Sequence, residues 1–266
     1  MSQPAFNALI LAGNRREGDS VASLTGVSHK ALAPINGIPM LLRLYRTLRA
    51  SAGIGDIYVC IDDSSLLDGI AELALARDSG RLRIVPPAIS PAASLGLAMD
   101  RIGVARPLLT TTADHPLLSR EMVEYMLRAA PQDAELCVGL AEADTVIAVY
   151  PDAIRTFYRF KGRRFSGCNL FLARGDGAKQ VAAYWQRMER HRKKPWRLVW
   201  EIGPIALLRM VLGGLSLDDA FAHVSRLTRT RIRPVLLPFA EAPIDVDKPE
   251  DYRLVSAILA KREGAA

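Results

Sequence analysis

The sequence predicts a three-layer α/β fold built on a mostly parallel sheet, and three observations point there. Short apolar runs alternate with helix-like stretches as far as Ala129, the rhythm of strands joined by crossover helices. Half of the 266 residues are hydrophobic, enough for a sizeable core and unlike a disordered chain. The first apolar run, residues 8–12 (ALILA), ends on Gly13, the layout of a buried strand opening into a phosphate-type loop.

That run is the first strand. Residues 40–50 (MLLRLYRTLRA) repeat apolar positions at helical spacing with arginines between them. Residues 56–61 (DIYVCI) read as a second strand, 66–76 as a helix and 82–85 as a third strand. Prolines follow, then a helical stretch over 92–100. Residues 107–111 (PLLTT) form a further strand that runs up to Asp114. A helix over 119–129 comes next, with Ser119 as N-cap and Glu121 in its first turn.

Beyond Glu135 the rhythm changes. Residues 136–140 and 145–150 have strand character, 164–173 leads into another strand, and 177–211 is mostly helical and unusually basic. Residues 235–239 give a last strand, and PIDVDKPEDYRLV leads into a terminal helix. There is no repeat, low-complexity segment or linker. Residues 1–266 are therefore expected to form one domain, with about 150–233 as a largely helical elaboration within it.

The formal charge of +7 favours anionic partners, such as nucleotides, phosphorylated metabolites, nucleic acid or an acidic membrane surface. No nucleic-acid module accompanies the charge, and a nucleic-acid partner is not expected. Every apolar run falls short of the roughly 20 residues of a membrane span. The nearest, 202–217, is interrupted by Arg209 and several glycines. The N-terminus lacks the charged-then-apolar layout of a signal peptide, so a cytoplasmic protein is expected. The basic stretch 191–197 suits either a solvated helix face or peripheral contact with acidic headgroups. Cys60, Cys137 and Cys168 show no CxxC spacing, which argues against zinc or a disulfide framework. No GxGxxG follows the first strand, which disfavours a dinucleotide-dependent dehydrogenase.

Three segments far apart in the chain carry the chemistry. Leu11-Ala12-Gly13 leads into Asn14-Arg15-Arg16 and, after a spacer, into Lys30 and the stretch ALAPINGIPM. A flexible backbone after a strand can turn N–H groups toward phosphates, and arginine and lysine add positive charge for a triphosphate. Asp114 stands in TADHPLL at the end of a strand, where open α/β sheets place their ligands. Asp245 and Asp247 alternate with Val246, so an extended backbone sends both carboxylates to one side. Magnesium prefers such oxygen donors. The same segment, running into Lys248-Pro249-Glu250, also suits a helix start.

In this order and spacing the segments resemble the signatures of MobA-like and sugar-phosphate nucleotidyltransferases. Those run LAGG or LAAG with arginine and then lysine, a D-x-P segment, and a stretch like DIDTPEDL. The resemblance covers roughly residues 6–150 and 235–256. It departs at Asn14, where the family has a second glycine, and in a longer spacer before Lys30 that suits a lid ordering over nucleotide. It implies a Rossmann-like sheet of the GT-A nucleotidyltransferase kind. It also implies that Leu11, Ala12, Gly13, Asn14 and Asp114 contact the nucleotide, that Lys30 with Arg15 or Arg16 is catalytic, and that Asp114, Asp245 and Asp247 hold Mg²⁺.

Ser94 matches a position where related cytidylyltransferases place a serine near the base, and equally suits an ordinary helix start. Lys161, Arg163 and Arg164 form a basic cluster before a strand, either a solvated charge run or, with Asn169 beyond it, a clamp for an anionic acceptor. The implied reaction joins a nucleoside triphosphate, CTP favoured, to a small phosphorylated acceptor such as phosphoglycerate, phosphocholine or a polyol phosphate, releasing pyrophosphate. An ionised acceptor phosphate needs no strong general base, in keeping with the lack of a histidine–carboxylate or serine–histidine pair in these motifs. The alternatives are a molybdopterin guanylyl- or cytidylyltransferase, a nucleotide-sugar glycosyltransferase and a non-catalytic nucleotide-binding module.

Overall fold

The computed structural model describes residues 5–13, 18–103, 105–191 and 214–264. The chain opens with β1 (Phe6–Leu11), α1 (Ser20–Thr25), a small hairpin of β2 (Pro34–Ile35) and β3 (Ile38–Pro39), and α2 (Met40–Ala50). Then come β4 (Ile54–Cys60), α3 (Ala71–Asp78), β5 (Leu82–Val85), α4 (Pro91–Ile102), β6 (Leu108–Thr112) and α5 (Arg120–Ala129). The second half holds β7 (Leu136–Glu142), α6 (Ala143–Val149), β8 (Tyr158–Phe160), β9 (Arg163–Ala173) and α7 (Gly177–His191). It closes with α8 (Leu217–Thr228), β10 (Ile232–Leu236) and α9 (Pro249–Gly264).

The main sheet has eight strands in the order β5-β4-β1-β6-β9-β7-β10, with β8 paired to β9. The pairs β1–β4, β1–β6, β4–β5 and β7–β10 are parallel, whereas β9 runs antiparallel to β6, β7 and β8. The reversal follows from the β8–β9 hairpin, whose two-residue turn places Lys161 at φ 40° and Gly162 at φ 84°. From β1 the chain steps outward to β4 and β5, then returns to the opposite side of β1 as β6. The C-terminal ends of β1 and β6 thus flank a topological switch point, the crevice where open α/β sheets bind ligands.

Alternation along the strands builds the three layers. Ala8 and Ile10 face a core shared with α2, α3 and α5, while Leu9 faces one shared with α4 and α7. A third cluster, at the ligand end, packs Val21 and Met40 against Leu117, Ile244, Val246 and the α9 residues Val255, Ile258 and Leu259. It ties the C-terminal segment to the start of the chain.

Most expected elements are present within a few residues, and three differ. Residues 145–150 are not a strand. Residues 145–149 belong to α6 and Tyr150 caps it, because Ala143 and Val146 are buried one helical step apart, and that packing overrides the β-branched composition. The helix expected over 66–76 begins only at Ala71, after a 3₁₀ turn at Ser64–Leu67. The last strand lies at Ile232–Leu236, earlier than the 235–239 expected. The elaboration expected over 150–233 reaches into the sheet itself, since β9 is sandwiched between β6 and β7.

Candidate functional site

Local sequence explains how the site is assembled. α1 ends on Gly26 in the left-handed region (φ 70°), and His29 then caps a 3₁₀ turn, its Nδ1 accepting from Ala31 N–H at 3.1 Å. That turn opens with Lys30. On the sheet, Ala113 N–H donates to the Leu11 carbonyl at 2.9 Å, so the segment after β6 stays beside β1 up to Asp114. The Asp114 carbonyl in turn accepts from Val246 N–H at 2.8 Å, docking the C-terminal loop onto it.

These contacts bring Lys30, Asp114 and Asp247 together. Lys30 Nζ lies 2.9 Å from Asp114 Oδ2 and 3.0 Å from Asp247 Oδ1. The Lys30 side chain is 17% exposed and Asp114 24%, whereas Asp247 is 63% exposed and faces outward. Burial alone would lower the Lys30 ammonium, but the two carboxylates outweigh it and hold its pKa above the usual value. Burial likewise pushes the Asp114 carboxyl up, and the Lys30 charge, helped by the nearby Thr112 hydroxyl and by the Lys30 hydrogen bond, brings it below the ordinary range. Asp114 Oδ1 is buried without a well-aligned hydrogen-bond partner among the described residues.

Asp245 is turned elsewhere. Its Oδ1 accepts from Arg155 Nη1, and its Oδ2 accepts from Asn169 Nδ2 at 2.7 Å. Burial first, then the charges of Asp114 and Asp247, push its pKa up to about 6 against the pull of Arg155 and Asn169. Asn169 sits at φ 47° where the β7–β9 register shifts, so a bulge aims it at Asp245. Among the described residues, no set of three His, Cys, Asp or Glu side chains is gathered as a metal site.

The other expected residues are placed as follows. Leu11 ends β1, and Ala12 N–H donates to the Cys60 carbonyl at 2.8 Å. A Cβ added at Gly13 would stand 3.4 Å from Pro87 Cβ, so this glycine lies close against the loop before α4. Ser94 is buried in α4 and its hydroxyl accepts from Ala88 N–H at 2.9 Å, closing that same loop. Arg163 forks onto Glu142 through two 2.7 Å bonds, and Arg164 lies 3.6 Å from Asp144. Lys161 occupies the exposed hairpin turn. Asn14, Arg15 and Arg16 lie outside the described residues, as do 192–197 and 202–213.

Sequence reasoning missed Arg155 and His115. Arg155 sits in an irregular stretch between α6 and β8 with no motif around it. His115 follows Asp114 directly, is 1% exposed, and is pushed down to about 4 mainly by burial, so it is a neutral imidazole inside the fold. Its position within the D-x-P segment was the available signal.

Comparison with known proteins follows the same lines. A family model described as the MobA-like NTP transferase domain matches residues 8–199. A hypothetical transferase from Thermus thermophilus has a similar structure, with a TM-score of 0.76 at 28% identity over 92% of this chain and 98% of that one. CMP:2-keto-3-deoxy-manno-octonic acid synthetase, complexed with CTP, gives 0.57 at 16% identity, covering 98% of this chain and 100% of that one. The 4-diphosphocytidyl-2C-methyl-D-erythritol synthase of Anaerococcus prevotii gives 0.57 at 12% identity, covering 96% and 98%. At such identities the last two speak for the fold alone. No match is found among curated proteins.

Proposed function

The chain belongs to the MobA-like NTP transferase family, and from that premise we propose that it transfers the nucleotidyl group of CTP to a small phosphorylated acceptor. An acceptor phosphate oxygen forms a bond to the α-phosphorus as the bond to pyrophosphate breaks. The observation that carries this reading is the meeting of Lys30, Asp114 and Asp247 at the switch point of the sheet. Lys30 is charged throughout the physiological range and stands where it can meet negative charge on the phosphates. The His29-capped turn positions Lys30, and β1 and β6 position Asp114; such positioning is the larger part of what phosphoryl chemistry asks of a protein.

The donor set fits magnesium. Asp114 offers a buried carboxylate oxygen with no well-aligned partner among the described residues and Asp247 an outward-facing carboxylate, and magnesium commonly takes one or two carboxylates with phosphate and water completing its shell. The proposed ligands are these two, since Asp245 already gives both oxygens to Arg155 and Asn169. Bound there, the ion would neutralise phosphate charge. Lys30 pairs with both of these carboxylates in the structure.

The choice of CTP rests on the sequence resemblance, and two fold neighbours are named for cytidine nucleotides. For the acceptor, the β8–β9 hairpin with Lys161, Arg163 and Arg164 is the proposed contact, on the same end of the sheet as Asn169. The reading is tested by a pyrophosphate-release screen that crosses the four nucleoside triphosphates with phosphoglycerate, phosphocholine, polyol phosphates and molybdopterin. Release with CTP and one acceptor is expected. Release with GTP and a pterin alone would move the protein to the molybdopterin branch.

A further inference from the structure

We infer that Arg155 is a positioning residue, holding the 245–251 loop so that Asp247 is presented to Lys30 and Asp114. Arg155 is 8% exposed, and both terminal nitrogens of its guanidinium are engaged on that loop's polar groups, while Nε is buried without a partner among the described residues. Nη1 donates to Asp245 Oδ1, while Nη2 donates to the Asp245 carbonyl at 3.0 Å and to Asp251 Oδ1 at 2.5 Å. The second oxygen of Asp251 accepts from the backbone N–H groups of Asp247 at 3.2 Å and Lys248 at 3.0 Å. One side chain therefore grips the chain two residues before Asp247 and four residues after it, and the latter grip reaches the Asp247 backbone itself.

Charge gives the grip its purpose. Asp245 and Asp247 stand near Asp114, and these carboxylates repel one another when ionised. Lys30 balances Asp114 and Asp247, and Arg155 balances Asp245 and Asp251. A planar fork suits three acceptors at fixed angles, which a lysine ammonium cannot reproduce from one point. Asn169, aimed by its bulge, secures the remaining Asp245 oxygen. Ile244 and Val246, on either side of Asp245, are held in the third cluster by apolar packing that Arg155 does not supply, so loss of Arg155 loosens Asp247 before it loosens the core.

The inference rests on the reading of Asp247 as a metal- and phosphate-facing residue, and its test is separable from that reading. Full-length wild type, Arg155→Ala, Arg155→Lys and Asn169→Ala are compared by amide hydrogen exchange at Asp247 and Lys248, by Mn²⁺ binding without nucleotide, and by urea unfolding. Arg155→Ala is expected to speed exchange at both amides and to weaken Mn²⁺ binding by about tenfold or more. Arg155→Lys should recover only part of either, and Asn169→Ala should shift both in the same direction by less. If Arg155→Ala does not fold, the lysine and Asn169 variants carry the comparison. Wild-type exchange and wild-type Mn²⁺ affinity in the folded Arg155 variants, whatever their stability, would overturn the inference. A wild-type protein that releases no pyrophosphate with any triphosphate would remove the proposed reaction, while exchange at Asp247 still decides the role of Arg155.

Discussion

Replacing Lys30 by methionine removes one charge from between two carboxylates, and its effects on stability and on catalysis should separate. The Asp247 half of the interaction counts for little in stability, about 0–1 kcal/mol, because that carboxylate is 63% exposed. The Asp114 half counts for more, since the substitution leaves a mostly enclosed carboxylate with no counter-charge. Breaking a fully buried pair in this way costs about 3–5 kcal/mol, and partial exposure reduces the expectation to about 2–3 kcal/mol. The sign with pH follows from Asp114, whose carboxyl is held below its ordinary 3.8 in the folded protein. That contribution is present above the unfolded value and is lost as pH falls through the folded one. The deficit of the variant should therefore be full at pH 7 and shrink on acidification below about 4.

Urea unfolding at neutral and acidic pH, with and without magnesium, measures this. Magnesium should restore part of the lost stability in Lys30→Met, because a divalent cation can take the place of the ammonium between the carboxylates. It should not restore pyrophosphate release, which is expected to fall about a hundred- to a thousandfold. A variant as stable as wild type at both pH values, and indifferent to magnesium, would refute the reasoning.

Three further outcomes are expected. Gly139→Ala places a Cβ 3.0 Å from the Leu170 carbonyl oxygen and 3.2 Å from Leu237 Cδ1, opposite the β9 bulge, and should destabilise by about 1–3 kcal/mol; an unchanged urea midpoint would contradict the close packing. His115, pushed down from 6.5 to about 4 mainly by burial, contributes stability above pH 6.5 that is lost as pH falls toward 4, about 3 kcal/mol in all. Its imidazole resonances should show no titration step above pH 5, and a midpoint near the free value would mean that the ring is hydrated. Arg163→Ala breaks an exposed fork to Glu142 and should change stability by less than about 1 kcal/mol, while raising the acceptor KM with kcat held; an unchanged KM would remove Arg163 from the acceptor contact.

The parts of the fold with strong periodicity could be read from the chain. The α2 helix at Met40–Ala50 and the β5 strand at Leu82–Val85 fall where alternation and helical spacing put them. Short β-branched runs could not be read this way, as α6 shows, because burial on one side of Ala143 and Val146 is a tertiary fact. The same distinction holds in the site. Lys30, Asp114 and Asp247 each stand in a motif with a physical reason, and the structure brings them together. Asp245 shares a motif with Asp247, but whether its carboxylate faces the same cation depends on Arg155 and Asn169, ninety and seventy-six residues away in sequence. No local pattern encodes that pairing.

The proposed reaction turns on attack at the α-phosphorus of the triphosphate. CTP labelled at the α-phosphate, supplied with magnesium and a phosphorylated acceptor, should pass its label into the coupled product with one pyrophosphate released per transfer, and the Asp114→Asn variant should do neither. Label retained in a nucleoside di- or triphosphate, or a γ-phosphate passed to the acceptor, would rule out nucleotidyl transfer.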